Sequence, residues 1–279
     1  MEFNDESGKL TPRLRLGRRV RRLRERKGLS IRQLSELVGG YSHSYLGRVE
    51  LGDQLPSDAL VNSLDKFFDT DGVLAELLEM AHDSLIPDYS RTSVSKEPGA
   101  ERIQVFTSSL APGLLQTEEY ARELFRRSLP GESEDELSER VAVRMRRQQI
   151  FERADAPYYW AIMDEAALRR PVGSAAHMVG QLRHLVQMAN RPRITVQVLP
   201  FSQGAYPLLG GSLTLMTLKG GGTTVLVESF ASGVGVDSTK RVVELTGRFD
   251  LARSLALSAD ESLDLIRGYL KGYEDEHDS

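Results

Sequence analysis

The chain has 279 residues, 40% of them hydrophobic and 27% charged, with a formal net charge of −4 and no cysteine. Its length suggests two domains, and the missing cysteines exclude disulfides, thiolate nucleophiles, iron–sulfur ligation and every zinc site that needs a thiolate. The histidines His43, His82, His177, His184 and His277 lack HxxxH spacing, so no metal and no cofactor is expected; without an apolar run of membrane-span or signal-peptide type, a soluble cytoplasmic protein with no membrane partner is expected.

Residues 1–13 are polar and are expected to be disordered. Between Lys9 and Arg48, 12 basic residues meet two acids, Glu25 and Glu36, so this stretch carries +10 and the remainder −14. That is a basic face on an acidic protein. Leu16, Val20 and Leu23 recur at helical spacing among arginines, predicting a first helix that ends at Lys27-Gly28. Ser30 and Gln33 form a capping box for a second helix with Ile31, Leu34 and Val38 inward, and Gly39-Gly40 breaks it. A third helix from Ser42 to Leu51 buries Leu46 and Val49 and stops at Gly52. Two more follow, one capped by Ser57 with Leu60, Leu64 and Phe67 inward, the other carrying Val73, Leu74, Leu77 and Leu78. Residues 14–85 thus form an all-α unit of five short helices.

Residues 86–99 have no apolar period and read as a linker. From 100 to 279 a mixed α/β domain is expected, making the whole chain α+β. Ile194, Val196 and Val198 alternate with polar residues as in a half-buried strand. Tyr158–Met163, Leu213–Leu218 and Thr224–Val227 are further strands, Gly220-Gly221-Gly222 a hairpin turn, and Trp160 a core residue. Helices are predicted over Thr117–Arg127, Ser133–Phe151, Ser174–Ala189, Asp237–Leu257 and Ser258–Leu270, two of them opened by the boxes Ser133/Glu136 and Ser258/Glu261.

The second and third helices fit a helix-turn-helix, which needs a Gly-containing turn and a second helix with a free outer face for the major groove. His43, Ser44, Gly47 and Arg48 lie opposite the buried stripe and are the candidate base readers, Arg48 suiting a guanine edge. Ser42 caps the helix and offers its amides to a phosphate. Arg18, Arg19, Arg22 and Arg32 are candidate phosphate contacts, and the expected partner is double-stranded DNA.

Leu23-Arg24 and the run Leu34 through Gly52 resemble the Xre-type helix-turn-helix regulators over about Leu14 to Leu78. The resemblance implies a buried ion pair between Arg24 and Glu50. Where phage members begin the second helix with a Gln that clamps a phosphate, Ile31 stands here, which moves backbone anchoring to Arg32 and the first helix. Pro112-Gly113-Leu114-Leu115-Gln116-Thr117, Asp164–Arg169, Val196–Phe201 and Ala256-Leu257-Ser258 resemble the C-terminal domain of Scr-type, antitoxin-like bacterial regulators, which implies a small protein partner. Ala252 stands where a larger apolar residue is usual in that domain, so a local repacking is expected.

No catalytic constellation is found. Asp164 and Glu165 are adjacent, as a helix cap and dipole partner would be, and the triple Gly lacks the Lys and Ser/Thr of a phosphate loop. Three readings stand: a DNA-binding regulator, homodimeric on an inverted repeat and tuned by a small molecule or protein at its second domain; an antitoxin-like interaction module; and a fused enzyme of unrecognised type. The helix-turn-helix favours the first, and no enzyme activity is expected.

Overall fold

A computed structural model describes residues 10–277. They divide into two units, one of residues up to Ile86 together with Ser133–Glu139, the other of Pro87–Glu132 with Arg140 onward. Of the expected disordered segment, residues 1–9 lie outside the described residues. The last of the segment is ordered: Thr11 Oγ1 accepts from the Leu14 amide and caps a helix that opens on Pro12, where a missing N–H costs nothing.

The helical unit is α1 (Pro12–Arg26), α2 (Ile31–Leu37), α3 (His43–Leu51), α4 (Asp58–Phe68) and α5 (Val73–Ser84). Its core joins Leu16, Val20, Leu34, Val38, Leu46, Val49, Leu60, Leu64, Leu74 and Leu78, the positions the helical period selects. Phe68 rather than Phe67 is the buried member of its pair, and Phe67 packs at the margin. Gly72 precedes α5 with no side chain to cap it. Asp65 on α4 takes that role from outside, accepting from the Leu74 and Ala75 amides at 3.0 Å each, so the first amides of α5 are not left unpaired.

The second unit contains α6 (Asp88–Val94), β1 (Ala100–Thr107), α7 (Glu118–Ser128), most of α8 (Glu134–Arg147), β2 (Tyr158–Asp164), α9 (Ala166–Arg169), α10 (Ala175–Ala189), β3 (Ile194–Leu199), β4 (Ser212–Leu218), β5 (Thr223–Ser229), β6 (Ser232–Val236), α11 (Thr239–Leu255) and α12 (Ala259–His277). The expected linker is therefore structured. Its α6 buries Ser90 and Ser93 instead of aliphatic side chains, which is why no apolar period marks it, and a 3₁₀ turn over Glu97–Gly99 follows.

The sheet order is β3-β2-β1-β4-β5-β6. The first three strands in that order run parallel, and β4, β5 and β6 add antiparallel hairpins. One face packs Ile103, Tyr159, Ala161, Val196 and Val198 against residues of α10 and α12. The other packs Phe106, Ile162, Leu213, Leu215 and Val225 against Leu245, Phe249 and Ala252 of α11. Covering on both faces explains the unbroken apolar run of β2. Trp160 is only half-buried, donating from Nε1 to Gln197 Oε1 at 2.7 Å. Ala252 is fully buried.

Candidate nucleic-acid interface

The sequence builds the turn between α2 and α3 from backbone freedom. Gly39 and Gly40 adopt φ of +117° and +75°, open to glycine and strained for other residues. The Gly40 amide donates to Ser35 O at 2.9 Å, and the Ser35 hydroxyl donates to Tyr41 O. The capping box forms on α2, with Gln33 Oε1 accepting from the Ser30 amide and Ser30 Oγ from the Gln33 amide.

On α3, Ser42 Oγ caps the helix by accepting from the Tyr45 amide at 3.1 Å. His43, Ser44 and Arg48 are exposed, Gly47 is half-exposed with nothing near the place of a Cβ, and Leu46, Val49 and Glu50 face inward. The four residues read as base readers thus share one outward face. Tyr45 is a strut: its hydroxyl accepts from the Ser57 amide at 2.8 Å, tying α3 to the cap of α4.

The helix is held from beneath. Arg24 donates from Nε and Nη2 to the two oxygens of Glu50 at 2.6 and 2.7 Å, and from Nη1 to Leu29 O at 2.8 Å. Glu50 is 5% exposed, and its hydrogen bonds lead the influences that raise the Arg24 pKa above its ordinary value. Behind it α1 and α3 touch backbone to backbone, since a Cβ on Gly17 would stand 2.4 Å from Val49 O. Gly52 ends α3 at φ +77°.

The candidate phosphate residues divide. Arg22 and Arg32 are exposed, whereas Arg18 and Arg19 are half-buried and Arg19 Nε is shut off from solvent. Sequence reasoning missed the acidic edge that Ser133–Glu139 brings to this unit. Asp135 Oδ2 accepts from Arg48 Nη1 at 3.1 Å. Glu139 accepts from the Leu55 amide at 2.8 Å and from Arg13, and burial raises its pKa from its ordinary value. Nothing local in the sequence announces these contacts, because partners more than 80 positions apart meet only in the fold.

In the second unit the adjacent acids hold structure together. Asp164 accepts from the Ala166 amide and from Tyr206 OH at 2.7 and 2.6 Å. Glu165 accepts from the Phe201 amide and from Tyr269 OH at 2.7 and 2.6 Å; burial, then that bond, pushes the Tyr269 pKa up to about 12. Among the described residues no cluster of three His, Asp or Glu is placed to hold a metal ion, and no helix is long and apolar enough to cross a membrane.

Residues 15–78 match the family model described as a helix-turn-helix domain. Residues 90–268 match the model described as a domain of unknown function, DUF5753. No curated protein matches the chain, and no solved structure does.

Proposed function

Because the chain belongs to the DUF5753 family through residues 90–268 and carries a helix-turn-helix domain over residues 15–78, we propose that it is a sequence-specific transcriptional regulator of the Xre type. In this reading α3 enters the major groove, with His43, Ser44, Gly47 and Arg48 at base edges. Ser42 and the arginines at 18, 19, 22 and 32 meet phosphates. The second unit dimerises the protein and senses a small molecule or a protein partner, and performs no catalysis. The observation that carries the proposal is the outward face of α3, polar and unobstructed around Gly47, on a helix locked from beneath by the Arg24–Glu50 pair.

A binding selection on randomised duplexes, repeated over a salt series, tests it. An enriched motif is expected, and the logarithm of affinity is expected to fall steeply against the logarithm of salt, at about 0.9 per phosphate contacted. Recovery of no motif, or a flat salt slope, defeats the reading.

A further inference from the structure

Helix α8 ends in basic residues, and two of them have different fates in the second unit. Arg147 is neutralised, donating from Nε and Nη2 to the two oxygens of Glu97 at 3.0 and 2.6 Å, a planar fork that satisfies both groups. Arg144 stands nearly one turn earlier without such a partner. Among the described residues its one hydrogen bond runs from Nη1 to Gln116 Oε1 at 2.6 Å. Its Nε is sealed from solvent with no acceptor. One face of the guanidinium lies over the Phe125 ring, with Cζ 4.5 Å from the centroid.

Burial first, and then the Arg147 charge, bring the Arg144 pKa down to about 10. A cation shielded from water is ordinarily paired, and Arg144 Nε, closed off from solvent, has no partner. The surroundings narrow which anion. Glu228 and Glu97 act electrostatically on the same guanidinium and offset the Arg147 charge, so the two acids and two arginines leave no net positive charge to hold a doubly charged phosphate. A single unengaged edge, carrying Nε and Nη2, matches the two oxygens of one carboxylate. Phe125, over whose ring the guanidinium lies, is only partly buried, so part of the ring stays open beside Arg144.

We propose that Arg144 anchors a binding site for a small monocarboxylate with an apolar or aromatic body. The carboxylate takes the Nε and Nη2 edge, Gln116 fixes the opposite side of the guanidinium, and Phe125 packs along the ligand's body. Arg144 as a whole is only partly covered, so a solute reaches it, and a carboxylate that draws the side chain outward takes up Nε as well. The site rests on the reading that the second unit senses an effector, and supplies that effector's chemical class.

The test uses the full chain, nitrogen-labelled, with the arginine Nε–H signals assigned through bonds and benzoate as probe. The Arg144 signal is expected to shift saturably with benzoate and far less with inorganic phosphate. Phe125→Leu keeps the charge, and is expected to weaken benzoate about 5-fold, the scale of one lost aromatic contact. Arg144→Lys, which cannot offer a fork and lacks that signal, is expected to abolish saturable benzoate binding when both variants and the wild type are compared by equilibrium dialysis. No saturable shift in the wild type, an equal response to phosphate, or unchanged benzoate binding in both variants overturns the site. Saturable binding at Arg144 without any change in duplex affinity upholds the site and removes the effector role from the proposed function.

Discussion

At the scale of single residues, charge placement matters more than charge count. Arg24 and Glu50 have side chains only 12% and 4% exposed, so replacing one strands the other where water cannot solvate it. Glu50→Ala is expected to destabilise the helical unit by roughly 3 kcal/mol in denaturant titrations; unfolding like that of the wild type would mean the pair contributes nothing. Arg48 differs because both it and Asp135 are largely exposed, at 46% and 56%. Such a bridge is worth at most about 1 kcal/mol. Asp135→Ala therefore frees Arg48 at little cost, and duplex affinity is expected to rise by up to about 5-fold. Arg48→Ala is expected to cost about 1 to 3 kcal/mol on the preferred sequence and to relax choice at one base pair, whereas Arg22→Ala weakens all duplexes alike. If Arg48→Ala keeps every base preference in the selection, the reading face has been assigned wrongly.

At the scale of elements, two features depend on backbone proximity and burial. Because a Cβ on Gly17 would meet Val49 O at 2.4 Å and Glu50 O at 2.8 Å, α1 and α3 must separate to admit it. Gly17→Ala is expected to cost about 1 to 3 kcal/mol in thermal or denaturant unfolding of the helical unit, although alanine is the better helix former. Stability equal to or above the wild type would contradict the close approach. On α10, burial and then the Arg191 charge lower the His184 pKa, and its Nε2 is buried without a partner. Neutral imidazole is thus favoured in the folded unit. Its contribution is complete above the unfolded histidine value of about 6.5 and is lost as pH falls from there through the depressed folded value. Comparing unfolding of wild type and His184→Gln between about pH 7.5 and 5 should show a steeper loss in the wild type; parallel curves would remove His184 as the cause.

At the scale of the whole molecule, a single recognition helix in a groove spans only a few base pairs, so under the proposed function a two-fold assembly on an inverted repeat is the expected working form. Sedimentation at micromolar concentration should give a dimer, and footprints should show half-sites about 34 Å apart or a multiple of it. A monomer with a footprint lacking symmetry would count against it. Much of this molecule was legible in the sequence: the helical spacing of Leu16 and Val20, the Ser30/Gln33 box, the stop at Gly52, the outward face of α3 and the alternation of β3 all depend on interactions within a few residues. Other elements were not. Central β1 carries the charged pair Glu101-Arg102 directly after its first residue and keeps its neighbours only through pairing with β2 and β4, and α6 hides serines where a periodic pattern needs aliphatics. The sequence by itself determined where α2 and α3 start and stop and which of their faces turn inward, because capping and amphipathic period are local, whereas α8 stops at Arg147 short of the expected Phe151 and α12 runs past the expected Leu270 to His277. Only the tertiary structure decided that Asp65 caps α5, that Asp135 engages Arg48, and that Arg144 lies half-buried over Phe125 while Arg147 is paired with Glu97. Each of those depends on which groups the fold brings together from separate elements, and no local pattern encodes that.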